Sequence, residues 1–375
     1  MRLLQLPDDI ILSIVAHLQI EDIIQLRQTC ERLYEITRRR VVWLHACTRH
    51  VLEKRLPFPH RCLDGLDTSE LERRTRRALK LSRTWSSPEI SRVLTHLKFT
   101  GGPLNGLDCV KFALRQSHEW LLTLSRGIWP VIVCWDLERI KNNIPAQAGE
   151  WREYDTDFEN LIVNTDITSE ACFAVSVIPS RGGAANIRLQ SLNFDDKQPN
   201  GKIVFHTIEI IETTDCPILL EGDILAYANE SHVRILNWKK HLSAILESTS
   251  ESDGGQPHNK CRTILFAHHS ILVARSRSIE LFAEPELRDS SEDIAIVHPI
   301  KAISYGWIDG LSLAPSSMPA GNDYPSIAIL IRAETGDPWQ SDIHSIKRYY
   351  LNPNPEFGAT DKAQERTEDS YVVLY

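Results

Sequence analysis

The chain has little of what marks a secreted, membrane-spanning or disulfide-built protein. Its 375 residues include only 8 cysteines, none spaced Cys-x-x-Cys, so neither a disulfide framework nor a zinc module is signalled. Most of these cysteines (30, 47, 62, 109, 134, 172, 216 and 261) are expected to be small buried hydrophobes. No apolar run reaches the roughly 18 residues of a membrane-crossing helix. The start, Met1-Arg2-Leu3-Leu4-Gln5-Leu6-Pro7-Asp8-Asp9, lacks the basic segment and longer apolar core of a signal peptide. The expectation is an intracellular protein, cytoplasmic, nuclear or both, that does not enter a membrane.

Signatures of catalysis are also missing. There is no Gly-x-x-x-x-Gly-Lys-[Ser/Thr] phosphate loop, no His-Glu-x-x-His helix and no Gly-x-Ser-x-Gly elbow. Gly101-Gly102-Pro103-Leu104-Asn105-Gly106 lacks the lysine and helix of a phosphate cradle and reads as a loop. His268-His269 reads as a turn, because adjacent turn residues rarely converge on one ion. Asn229-Glu230-Ser231 matches a glycosylation acceptor without a secretory context. No catalytic residue, cofactor or metal is expected.

What is present is a folded composition, 42% hydrophobic and 25% charged, with a length that predicts two or three domains. Charge divides the chain. Residues 1–98 carry 18 basic against 12 acidic side chains, a balance of +6, and the remainder 24 against 38, a balance of -14. The N-terminal excess is modest and has no stacking aromatics interleaved with it, which argues against nucleic acid as the partner.

The N-terminal part has helical periodicity. Ile10, Ile11, Ile14, Val15 and Leu18 share one face. Pro7 opens that helix in its first turn, and Asp8-Asp9 sit at the positive end of its dipole. A second helix is expected around residues 21–27 and a third through 31–36, capped by Thr29; an apolar face then restarts at Val41-Val42-Trp43-Leu44. Three short helices bury little surface alone, so exposed apolar residues awaiting a partner are expected.

Together Leu6-Pro7-x-Asp9-Ile10-Ile11-x-x-Ile14-x-x-x-Leu18, Asp22-Ile23-x-x-Leu26, Cys30-x-x-Leu33 and Trp43 resemble an F-box over residues 3 to 47. The family's usual Glu after Leu-Pro is Asp9 here, and its arginine-valine-cysteine stretch is Gln28-Thr29-Cys30. The resemblance implies docking on a Skp-type adaptor and, through it, a cullin-RING ubiquitin ligase. It implies an adaptor-binding set of Leu6, Pro7, Ile10, Ile11, Ile14, Leu18, Ile23, Leu26, Cys30, Leu33 and Trp43. Taken singly, each of these is also an ordinary helix-core residue.

Residues 57–68 read as a loop, after which Thr68 or Ser69 caps a further helix. Leu71, Thr75, Ala78, Leu79 and Leu81 form its weak apolar stripe, while Arg73, Arg74, Arg76, Arg77, Lys80 and Arg83 make the other face basic. Leu71-Glu72-Arg73-Arg74-Thr75-x-x-Ala78-Leu79 followed by Trp85 is similar to the connector of many fungal F-box proteins. A solvated or acid-facing helix and a phosphate-binding one both fit.

Beyond residue 96 the texture becomes short apolar runs separated by Gly, Asn, Asp, Ser and Pro, which is strand and turn chemistry. One strand-turn-strand-turn-strand unit spans 218–238 and returns about 46 residues later over 264–282; earlier copies include 120–137 and 187–195. The aromatics closing these units, Trp135, Phe194, Trp238 and Phe282, are spaced 59, 44 and 44 residues apart, the interval of a four-stranded propeller blade. A divergent unit is expected over 300–350, with a last strand at 371–375. At roughly 45 residues each the region has room for about six blades. The repeats resemble WD-repeat propellers, although only Trp135-Asp136 supplies the signature dipeptide. A β-sandwich or two smaller β domains is the alternative fold.

The predicted organisation is multidomain: a small all-α F-box domain (1–56), a basic helical connector (57–95) and an all-β propeller-like repeat domain (96–375). This layout is similar to fungal substrate receptors of SCF ubiquitin ligases, which bind a Skp adaptor at one end and a protein target at the other. A non-catalytic WD-repeat-like scaffold without a role in ubiquitination is the alternative.

Overall fold

The computed structural model describes residues 5–54, 56, 58, 63, 65–87, 106–115, 118–126, 130–142, 144–195, 202–248, 259–289, 294–305, 307–316, 325–334, 345–354 and 371–374. The chain divides into two compact units, Met1–His96 and Leu97–Tyr375.

The first unit is helical. Its elements are α1 (Asp8–Val15), α2 (Ile20–Arg27), α3 (Glu31–Thr37), α4 (Arg40–Cys47), a single π turn over Thr48–Leu52, and α5 (Thr68–Ser86). Apolar residues three and four apart converge on one core that includes Ile11, Val15, Ile23, Leu33, Ile36 and Trp43. Each such aliphatic side chain contributes about 1.5–3 kcal/mol when buried. The same core takes in Leu71 and Ala78 of α5, both nearly fully buried, so the basic helix belongs to this unit.

Three local expectations are corrected. Pro7 stands just outside α1, at its N-cap with an extended ψ of 151°, because residue 8 opens the first turn. Thr29 does not cap α3; its hydroxyl donates back to the Leu26 carbonyl at 2.8 Å, leaving Cys30 at the cap position. Asp67, rather than Thr68 or Ser69, caps α5 by accepting from the Glu70 amide at 2.8 Å. That bond and the one from the Ser69 hydroxyl hold the Asp67 carboxyl below its ordinary pKa.

The second unit is built of antiparallel sheets that follow chain order. The first holds β1 (Gly106–Arg115), β2 (His118–Arg126), β3 (Val131–Asp136) and β4 (Gln147–Trp151), with α6 (Leu137–Lys141) between the last two. The second holds β5 (Thr156–Val163), β6 (Phe173–Pro179), β7 (Asn186–Asp195) and β8 (Lys202–Glu212). The third holds β9 (Cys216–Glu221), β10 (Ile224–Ala228), β11 (His232–Asn237) and β12 (Leu242–Glu247). The fourth joins β13 (Cys261–Ala267), β14 (Ser270–Arg275) and β15 (Ser278–Ala283) to β18 (Lys301–Ser304). Two short strands from the β15 to β18 segment, β16 (Arg288–Asp289) and β17 (Ala295–Val297), return to the edge of the third sheet and pair with β12. The fifth holds β19 (Trp307–Pro315), β20 (Ile327–Glu334), β21 (Ser345–Pro353) and β22 (Tyr371–Leu374).

The described residues therefore build five blade-like sheets, against about six expected from length. Residues 300–350 are not one unit: β18 closes the fourth sheet by pairing with β15, and the fifth begins at β19. The last strand completes its own sheet, with Leu351 opposite Val373. Gly101–Asn105, Cys62 and Tyr375 lie outside the described residues.

First strands of successive sheets lie side by side, from β1 through β5, β9 and β13 to β19. Because neighbouring sheets stack, the middle sheets bury both faces. In β6, Phe173 and Val175 enter the core against the first sheet while Ala174 enters the core against the third. In β14, Ile271 and Val273 face one way and Leu272 and Ala274 the other. This produces continuous apolar runs instead of the alternation of a sheet with one wet face. The first and last sheets differ, since Phe112 on β1 is 71% exposed and Ile346 on β21 is 74% exposed.

Candidate functional site

The predicted adaptor-binding residues all lie on α1–α4 or at their edges, and packing sorts them into three groups. Ile11, Ile23, Leu33 and Trp43 are exposed by 3% or less and form the helical core. Leu6, Leu18, Leu26 and Cys30 are half-buried and pack against that core from outside. Pro7, Ile10 and Ile14 are exposed, the two isoleucines by 49% and 40%. Ile10 and Ile14 lie one turn apart on α1, while Ile11 and Val15, rotated by one residue, face inward. Within the predicted set, the exposed residues therefore form a short apolar ridge of Pro7, Ile10 and Ile14, bordered by Leu6 and Leu18.

Ion pairs hold the start of this ridge in place. One amino group of Arg32 donates to both the Leu6 carbonyl and Asp8 Oδ1, each at 2.8 Å, and Arg39 reaches Asp8 Oδ2 at 2.5 Å. The Arg32 guanidinium, and then that of Arg39, hold the Asp8 carboxyl below its ordinary pKa. The far end of α1 is fixed by His50, whose Nε2 lies 3.0 Å from the Leu18 carbonyl.

Trp43 is held inside the helical core by two polar neighbours. Its indole N–H donates to the Thr37 carbonyl at 2.9 Å, and the Arg27 guanidinium stacks 5.4 Å from its ring centroid. Arg27 also donates to both carboxylate oxygens of Glu72 on α5, at 2.8 and 3.0 Å. This Trp43–Arg27–Glu72 junction ties the fifth helix to the first four. Sequence reasoning missed it, because a pair 45 residues apart leaves no local signal.

On the second unit, a cavity of about 900 Å3 opens among β1, β5, β9 and β13. Its charges are mixed. Arg126 bridges Asp108 at 3.2 Å and Glu159 at 3.5 Å, and Lys111, Lys260 and Arg262 stand around them. Three thiols line it, and burial raises the pKa of each: Cys109 and Cys216 upward, Cys261 to about 12. They are therefore held as thiols, poor nucleophiles at neutral pH. Among the described residues no group of three His, Cys, Asp or Glu side chains is placed to hold a metal ion. His268 and His269 form the turn between β13 and β14, with ring centroids 4.3 Å apart. Trp135 and Asp136 act locally: the indole donates to Thr123 Oγ1 at 2.8 Å, and the carboxylate caps α6.

Residues 3–45 match the family model of the F-box domain. The chain carries an F-box domain at its N-terminus, followed by an all-β, propeller-like domain of antiparallel sheets. Among solved structures it is similar to the WD40 domain of SCAP from fission yeast, at 14% identity and a TM-score of 0.40, covering 72% of this chain and 59% of that one. It is also similar to the complex of the fission yeast SREBP–SCAP binding domains, at 14% identity and a TM-score of 0.34, covering 72% of this chain and 82% of that one. The chain thus spans about three-fifths of the length of the first of these structures. No curated protein matches it. The propeller-like assignment rests on the sheet topology itself.

Proposed function

We propose that this protein is a substrate-recognition subunit of an SCF-type ubiquitin ligase. Its F-box binds a Skp-type adaptor, and its propeller-like domain binds a protein target. The observation that carries the reading is the exposed Pro7–Ile10–Ile14 ridge on a domain that matches the F-box model. Two exposed isoleucines on an eight-residue helix, continued by the exposed Pro7 at its N-cap, form an apolar ridge that a partner would cover. Ile11, Ile23, Leu33 and Trp43 support that ridge from inside, while Leu6, Leu18, Leu26 and Cys30 contribute their outer edges. The protein acts by proximity. With the adaptor bound at one domain and a target at the other, target lysines are kept at high local concentration near the ubiquitin-charged enzyme. Bond-making belongs to other subunits.

Co-purification with a Skp-type adaptor tests this. Wild type is expected to form a stoichiometric complex, and Ile10→Ser/Ile14→Ser to lose it while keeping its circular dichroism. A wild-type chain that stays monomeric in the presence of the adaptor overturns the reading.

A further inference from the structure

The helical unit holds another concavity, a groove of about 730 Å3 between α2 and α5, whose lining includes none of the residues assigned to the adaptor. Ile20, Ile24 and Leu79 form its apolar floor. Its α5 wall is cationic, built of Arg73, Arg76, Arg77, Lys80 and Arg83. Two acids also line it, and both are engaged: Glu21 by Arg83, and Glu72 by Arg27 and Arg76. Arg77 and Lys80 make no ion pair among the described residues.

Helical geometry makes this wall unusual. Arg73 and Arg77 stand four residues apart, as do Arg76 and Lys80, and such like-charge pairs weaken a helix. Glu70 and Glu72 offset part of this charge, pairing with Arg73 and with Arg76. With Arg73, Arg76 and Arg83 each paired to a carboxylate, Arg77 and Lys80 remain as the uncompensated cations beside the apolar floor, which is complementary to a ligand that is both acidic and aliphatic. The wall runs from Ser69 to Thr84, about 22 Å at 1.5 Å per residue, long enough for six or seven extended residues. The groove lining contains no aromatic side chain on which a nucleic-acid base would stack.

We propose that this groove binds an extended acidic peptide segment of another protein, with aliphatic side chains on Ile24 and Leu79, above the buried Ile20, and carboxylates against Arg77 and Lys80. The proposal does not depend on the ligase reading.

The test is fluorescence anisotropy of the full chain with a fluorescein-labelled octapeptide, Glu-Asp-Leu-Glu-Asp-Leu-Glu-Asp. Saturable binding is expected, weaker in about 0.5 M than in about 0.05 M NaCl. Arg77→Glu/Lys80→Glu should weaken it about tenfold or more, and replacing both peptide leucines by serine about fivefold. Should charge reversal disturb folding, Arg77→Gln/Lys80→Gln should still weaken binding about threefold with unchanged circular dichroism. Any one of four results overturns the proposal: no saturable binding by wild type, indifference to the variants, equal binding of the serine peptide, or displacement of the peptide by oligouridylate at equal concentration. The last would make the groove a nucleic-acid site.

Discussion

Ile10 and Ile11 are adjacent and chemically identical, yet one is 49% exposed and the other 1%. Their substitutions should separate cleanly. Ile11→Ala opens a cavity in the helical core and is expected to destabilise that unit by about 2–4 kcal/mol, read as a lower urea midpoint. Ile10→Ala should leave the midpoint within about 0.5 kcal/mol of wild type while weakening adaptor capture. Asp8 offers a pH test on the same ridge. Its folded pKa is depressed, first by Arg32 and then by Arg39. The tether it makes to the ridge is therefore complete above the ordinary carboxylate pKa of about 3.9 and lost as pH falls through the lower folded value. Carboxyl-carbon NMR should show Asp8 titrating below the ordinary carboxylate range, and Arg32→Gln should move that titration upward.

Single contacts decide how elements join. In the helical unit, α5 is fastened by the bidentate Arg27–Glu72 pair, whose side chains are 17% and 16% exposed. Glu72→Ala leaves a largely buried guanidinium beside Trp43 and is expected to cost about 1–3 kcal/mol, measured by chemical denaturation. In the second unit, Asn164 follows β5 and links the second sheet to the third. Its amide donates to the Ala171 and Gly222 carbonyls at 2.9 and 3.0 Å, and its carbonyl accepts from the Gly222 amide at 2.8 Å. Gly222 itself sits at a φ of +58°, in the left-handed region a turn of this shape requires. Asn164→Ala removes these three bonds, together with the one its carbonyl accepts from the Asp166 amide at 2.9 Å, and is expected to increase hydrogen exchange at Gly222 before any global unfolding.

Among the described residues of the propeller-like domain, stability rests on stacked apolar faces with a buried charge pair among them. Arg275 and Glu280 are 0% and 1% exposed and 3.0 Å apart. Ser248 and Ser278 donate to the carboxylate at 2.6 and 3.1 Å, and Arg275 donates to the Glu230 carbonyl in the neighbouring sheet at 3.0 Å. Glu280→Ala strands the guanidinium in the interior. The expected loss is about 3–5 kcal/mol, seen as an earlier thermal transition of this domain with the helical unit little changed. Cys261 provides a complementary readout: with its pKa near 12, it should resist alkylation at pH 8 in the native state and react once the domain unfolds.

Much of this architecture is legible from one dimension because it arises from local periodicity. The spacing of Ile11, Val15, Ile23, Leu33 and Ile36 is helical wherever it occurs, and the Leu-Pro start with Cys30 and Trp43 carries the F-box resemblance. The short apolar runs signal strands, and the aromatics at 135, 194, 238 and 282 mark the end of the third strand in four successive sheets. What the chain could not show by itself is which apolar residue turns outward. Ile10 and Ile11 satisfy the same pattern, and only the packing of neighbouring helices makes one core and the other surface. The junction of Trp43, Arg27 and Glu72, the link from Asn164 to Gly222 and the sealing of Arg275 with Glu280 likewise depend on three-dimensional proximity. Such contacts are set by how stacked elements close on one another, and a charge or amide in sequence looks the same whether its partner is buried beside it or absent.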